Sequence, residues 1–290
     1  MHTLRNITSL LLASLILLSG CSGINSQNNP APTSAPTLTE EPMAARVNGE
    51  GITLADYQRE VGLLQSAQKE DGIQADAQTQ KSQVLDSLID QILLSQSAAS
   101  SGHLIDDAEL QKRISDLASQ LGGMDKLDLW KSSYGYDDLA FQRTLQRNMA
   151  AAWMRDQITA EVGTTADQVH ARQIRVNAEG EARAIQAQLQ AGTDFTKLAG
   201  EYDPLTKGDL GWFPRGYLFQ PTVEDAAFAL QPGQFSSMIQ TNIGYHFVLV
   251  IERDAQHPLS PDALLFLQHQ AFSQWLKQKR SEAKIEILVP

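Results

Sequence analysis

The 290-residue sequence has a single cysteine, Cys21. That count excludes a disulfide framework and a thiolate metal cluster. The six histidines are scattered, and no pair stands four residues apart beside a glutamate, which excludes a zincin-type site. The glycine clusters lack both GxGxxG and P-loop spacing, so no phosphate cradle is implied. There is no basic stripe, and the net charge is −11. Nucleic acid is therefore not an expected partner, because phosphate binding needs clustered Lys and Arg. Neither a metal nor a cofactor is called for.

What is present is enough apolar material for a packed core, 42% of residues. Arg5 precedes an apolar run, Leu10–Leu18, too short to span a bilayer as a mature helix. Leu18-Ser19-Gly20-Cys21 follows, and residues 1–21 read as a secretory signal peptide ending in a lipobox-like site. The expected event is cleavage before Cys21 and lipidation of its thiol; the bland alternative is an ordinary signal peptide with a chance cysteine. Two or more acyl chains give stable anchoring where one is marginal. Residues 22–43 are polar and Pro-rich and read as a disordered tether. On the flexible-coil scale of about 5–6 Å × √n, it holds the folded part roughly 25 Å from a membrane surface.

From residue 44 to 162 the pattern is helical behind a short Asn-Gly turn. Thr53 caps a helix carrying Leu54, Tyr57, Val61 and Leu64. A second spans about Gln80–Ser101, a third begins at Asp106, and a longer one starts at Asp137. Composition shifts after Val162. Gln168–Val176 has strand character, Glu181–Gln190 is helical, and Asp194 starts a short helix. A Gly-rich strand end and Pro-Arg-Gly turn follow, then a helix at Val223–Leu230, a strand at Phe235–Ile239 and a strand at Tyr245–Ile251. The order β-α-α-β-α-β-β is too compact for a dinucleotide domain. In residues 259–290, Ser260 caps a final helix with Pro261 at its first position, and Ile285–Val289 alternates like a strand expected to pair with Ala45–Val47. The helical module is thus read as two parts separated by an insertion at 168–254.

The inserted segment carries ARQIRV, AGTDFTKLA, GDLGWFPRG, EDAAFAL, PGQFS and GYHFVLV in order. These motifs resemble the parvulin-type peptidyl-prolyl cis-trans isomerases, from about Val169 to Arg253. The flanks, ARVNGEGIT and the closing helix and strand, resemble secreted SurA/PrsA-like foldases. The resemblance implies an α+β chain, an all-helical SurA-like chaperone module with an inserted parvulin (FKBP-like) domain built on a four-stranded antiparallel sheet. It implies that Leu210, Phe213, Leu218, Val223 and Phe228 line a proline pocket, and that His246 sits on its floor bonded to Thr241 and to a second polar partner. The family's second histidine falls at Gln173, which keeps donor and acceptor but cannot change charge. Leu218 and Val223 stand where Met and Phe are common, and Tyr217–Thr222 has one residue more. The loop Tyr202–Lys207 is short and leaves Asp203 as the only acidic group near the amide.

Each of these residues also has a plainer reading. His246 reads equally as a satisfied core histidine. Asp203 is more simply a turn residue before Pro204, and Glu224-Asp225 is explained by the first-turn helix dipole. His170, His257 and His269 have no evident partner. Two functions follow. One is a lipid-anchored extracytoplasmic foldase that isomerises X-Pro bonds in secreted or envelope proteins and binds unfolded chains. The other is a holdase whose parvulin-like domain is weakly active or inactive and serves peptide binding. The expected partners are unfolded or proline-containing polypeptides and, through Cys21, a membrane; a monomer and a clamp-like homodimer are both compatible with the sequence.

Overall fold

A computed structural model describes residues 41–73 and 75–289. The signal peptide, Cys21 and most of the tether lie outside the described residues. The described residues start with a hairpin, β1 (Met43–Val47) and β2 (Glu50–Thr53), around the expected Asn48-Gly49 turn. The Thr53 side chain accepts the Asp56 amide at 3.0 Å and so starts α1 (Leu54–Glu70). α2 (Ala77–Ser100), α3 (Asp107–Leu121), α4 (Met124–Ser133) and α5 (Asp138–Ala160) follow. Asp76, Asp106 and Asp137 cap α2, α3 and α5 in the same way. Val84, Leu88, Ile89 and Ile92 of α2 pack on the hairpin and α1. Leu110, Ile114, Leu127 and Phe141 form a second cluster with the end of α2. Asp56, 5% exposed, receives Arg59 at 2.7 Å and Arg143 at 2.8 Å, so its buried charge is paired twice.

The chain then enters an antiparallel sheet. Its strands are β3 (Thr165–Val176), β4 (Asp209–Pro214), β5 (Ile239–Thr241) and β6 (Gly244–Pro258), in the order β4-β3-β6-β5. Between β3 and β4 lie α6 (Glu179–Gln190) and α7 (Phe195–Tyr202); α8 (Pro221–Ala229) lies between β4 and β5. β3 and β6 are longer than their apolar patterns suggest, because their polar ends still pair, Thr165 with Pro258 and Gln168 with Asp254. The expected strand at Phe235–Ile239 is displaced. Phe235 makes only an isolated bridge to Leu249, and the paired residues are Ile239–Thr241. The one-residue alternation of a strand puts successive side chains on opposite faces. On one face Ile174, Val176 and Phe247 meet α6 and α7 through Ile185, Phe195 and Leu198. On the other, Val169, Ala171, Val248 and Val250 meet Phe213 and, from α8, Val223, Ala227 and Phe228.

α9 (Pro261–Glu282) and β7 (Ile285–Ile287) close the chain. β7 pairs with β1, Ala45 opposite Ile287 and Val47 opposite Ile285. α9 lays Phe272, Trp275 and Leu276 against Leu94, Ala151 and Ile158, and Arg280 reaches Asp90 at 2.6 Å and Asp86 at 2.9 Å. Two separate sheets and a shared helical core therefore sit in one mixed α and β chain. Among the described residues no helix is long and apolar enough to cross a membrane.

Candidate functional site

The apolar part of the site is built by β4, the turn after it, and α8. Phe213, Val223 and Phe228 are 0%, 1% and 4% exposed. Phe213 and Phe228 meet edge to face with ring centroids 6.0 Å apart. The Arg215 guanidinium lies 4.3 Å from the Phe228 ring centroid and pairs with Asp225 at 3.2 Å. These rings fill the core beneath the site. Leu210 and Leu218 pack at its margin and stay half-buried, so they form the accessible lip.

Glu224 holds that lip in place. It is buried, and its carboxylate accepts the Gly216 amide at 2.7 Å and the Leu218 amide at 2.9 Å. The helix dipole alone does not account for this residue. The carboxylate ties the Pro-Arg-Gly turn to α8 and fixes where Leu218 stands. The spacing carries a signal for it, since an acid at the first turn of a helix, eight residues past a Gly turn, is placed to collect amides. α9 supports the same turn from outside. Phe266 meets Tyr217 edge to face at 5.4 Å, and a Cβ on Gly216 would come within 2.8 Å of the Gln270 side chain. Contacts so distant in sequence leave no local signal.

The polar part lies on the pocket-side face of β3 and β6. Gln173 stands opposite Val248, and Arg175 opposite His246. His246 is 1% exposed, and its Nε2 lies 2.8 Å from Thr241 Oγ1. The same hydroxyl donates to Gly244 O at 3.2 Å and accepts the Ile243 amide. Its one proton is thus committed, so Nε2 carries the imidazole hydrogen and Nδ1 the lone pair. No hydrogen-bond donor among the described residues meets Nδ1. Gln173 shares the face but does not bond to it, so of the two expected bonds the structure contains the one to Thr241. Burial, and secondarily the charge of Arg175, holds the His246 pKa below its usual value of 6.5.

Asp203 ends α7 and turns its carboxylate into the loop it organises. It accepts the amides of Leu205, Thr206 and Gly208 at 3.2 Å each, and the Thr206 hydroxyl as well. The hydroxyl of Thr206 and these amides hold its pKa below the ordinary carboxylate value. Loop and strand meet closely at Gly208, whose φ is +70°; a Cβ there would stand 2.0 Å from Gln173 O. Beside this contact opens a cavity of about 300 Å³, lined by Gln173, Arg175, Asp203, Thr206 and Leu210 among others.

The remaining histidines of the strands find partners away from the pocket. His170 Nε2 lies 2.8 Å from Asp209 Oδ1, and His257 stacks on Trp212 with centroids 3.9 Å apart. These contacts join β3, β4 and β6 at their far end, with Trp212 between the two rings.

Two family models match the chain. One, described as a PPIC-type PPIase domain, covers residues 162–252, and one described as a SurA-like N-terminal domain covers residues 3–150. The chain is 38% identical over 97 residues to the Foldase protein PrsA of Geobacillus sp. (strain WCH70), which is 32% of this chain and 35% of that protein. It is 30% identical over 223 residues to the Foldase protein PrsA of Caldanaerobacter subterraneus subsp. tengcongensis, 71% of this chain and 72% of that protein. It is 35% identical over 118 residues to the Chaperone SurA of Burkholderia thailandensis, 37% of this chain and 26% of that protein. The match thus spans about a third or less of the Geobacillus and Burkholderia proteins.

Proposed function

The chain belongs to the SurA/PrsA-like family that joins a SurA-like N-terminal domain to a PPIC-type isomerase domain, and on that premise we propose that it is an extracytoplasmic foldase that isomerises X-Pro bonds in unfolded clients. The reaction makes and breaks no bond. It must only lower a rotation barrier of about 18–20 kcal/mol, so a site needs an apolar seat for the ring and a surrounding that favours the twisted amide over the planar one. The observation that carries the reading is the lip of Leu210 and Leu218 beside His246–Thr241, backed by Phe213, Val223 and Phe228. In this role Leu210 and Leu218 receive the proline ring, while His246, Thr241 and Gln173 supply the polar floor. Asp203 shapes the loop.

The helical residues 44–162 with the closing segment 259–290 act as the client-holding module, and residues 168–254 as the isomerase domain inserted in it. Support for client holding comes from the exposed large apolar side chains Met124, Leu129 and Trp130 of α4, Tyr134 just after it, and Leu139 at the start of α5. Lipidation at Cys21 anchors the chain to the cell membrane, with residues 22–43 as tether, and the chain works as a monomer or a clamp-like dimer.

A second reading has its own observation. Nδ1 of His246 has no partner among the described residues, Gln173 does not reach it, and the Asp203 carboxylate is fully engaged by its loop. That floor suits a holdase in which the domain grips proline-containing peptide with little rate enhancement. A protease-coupled proline-peptide assay on the full chain, run beside suppression of client aggregation, separates the two. Acceleration that is lost in Leu218→Glu supports the isomerase. Aggregation suppression with no acceleration sinks it and leaves the holdase.

A further inference from the structure

Resting on the reading of this site as a prolyl-peptide site, we infer that Arg175 makes it selective for an acidic side chain immediately before the proline. Arg175 stands on β3 directly opposite His246 and lines the cavity that opens beside Gln173 and Leu210. It is the one cation among the described lining residues of that cavity.

The acids nearby are already occupied. Asp203 accepts three loop amides and the Thr206 hydroxyl. Asp209 accepts from the Gly211 amide at 2.9 Å and from Arg172 at 3.4 Å, and shares a hydrogen bond with His170 at 2.8 Å. Arg175 by contrast is exposed and makes no hydrogen bond or ion pair among the described residues. Among the described residues most cations have an acid within reach, as in Arg59–Asp56, Arg215–Asp225 and Arg253–Asp167, and this one is left open at the site. It holds nothing in the fold.

Geometry says which substrate residue it meets. Leu210 belongs both to the apolar lip and to the cavity wall. A proline ring seated against Leu210 and Leu218, with its amide toward His246, carries the preceding residue over the cavity mouth. A carboxylate there accepts from the planar fork of the guanidinium, two N–H groups to two oxygens. The same arrangement disfavours a lysine before proline by like-charge repulsion with the Arg175 guanidinium.

The test compares three tetrapeptide series on the full chain, with Glu, Ala or Lys before proline. Both kcat/KM in the coupled isomerase assay and binding of the fluorescently labelled peptides are measured. Because the pair is solvent-exposed, Glu-Pro should exceed Ala-Pro by roughly two- to five-fold, with Lys-Pro lowest. The order should flatten in Arg175→Gln, reverse toward Lys-Pro in Arg175→Glu, and shrink as salt is raised. An order unchanged in Arg175→Gln, or equal binding of all three peptides, overturns the inference. If no peptide is isomerised the isomerase reading fails, and the binding series alone then decides the charge preference. Arg175 is exposed, so neither variant is expected to alter folding, and thermal melting checks that.

Discussion

The two halves of the site lie on the same sheet face yet are built on opposite terms. The apolar half is over-determined. Phe213, Val223, Phe228, Val248 and Val250 are all less than 5% exposed and interlock across β4, β6 and α8. The polar half is under-determined. His246 keeps one bond, to Thr241, and an open lone pair on Nδ1, while Gln173 and Arg175 on the same face bond to no described residue through their side chains. Packing holds its members wherever volume is conserved, whereas a buried hydrogen-bond network is lost when one partner changes. The apolar half therefore gives the chain its fold, and the polar half is where its rate and specificity are set.

Changes that break this contrast should rank accordingly. Phe213→Ala empties the centre of the apolar half and should cost about 3–5 kcal/mol, a large part of the roughly 5–15 kcal/mol expected for a domain. Denaturant unfolding would show it, and a loss below about 1 kcal/mol would mean the site collapses to fill the space. Glu224→Ala comes next. It strips the acceptor from the Gly216 and Leu218 amides, a cost of about 1–3 kcal/mol. Because it frees the turn carrying Leu218, KM should rise more than kcat falls, and Glu224→Gln, which keeps one acceptor oxygen, should recover part of the loss. Equal effects of the two variants would show that Glu224 acts only on stability.

Much of the apolar half was legible in the sequence. The unbroken apolar run Phe247–Ile251 marks a strand covered on both faces, and the resemblance carried by GDLGWFPRG and EDAAFAL points Phe213, Val223 and Phe228 to the pocket side. The paired termini were legible too, since Ile285–Ile287 alternates like a strand and joins β1. The polar half was not. Whether Gln173 bonds to His246 depends on rotamers and on two register shifts around Ala171, which no spacing rule encodes. Glu224 was hidden by a sufficient local explanation, and the support of the Gly216 turn by Phe266 and Gln270 by a separation of about fifty residues. The strand at Phe235–Ile239 shifted because Pro232-Gly233 sends that segment across Leu249 and Val250 before pairing begins.

The smallest expected effect probes the floor itself. His246 is held neutral by burial, with its folded pKa below 6.5. The unfolded chain therefore binds a proton more readily than the folded one over the interval below 6.5. The stability that His246 contributes is complete above that value and declines as pH falls toward the folded pKa, because protonation then favours the unfolded state. The stability lost on acidification below pH 6.5 should therefore shrink in His246→Asn, as read from denaturant unfolding across a pH series. Gln173→His tests the same lone pair from the other side. A second imidazole on the shared face can donate to Nδ1, which favours the neutral form of His246 and should steepen the decline while raising isomerase turnover. A turnover unchanged or lowered, with the pH slope altered, would show that the floor governs folding alone and that the rate is set by the Leu210–Leu218 lip.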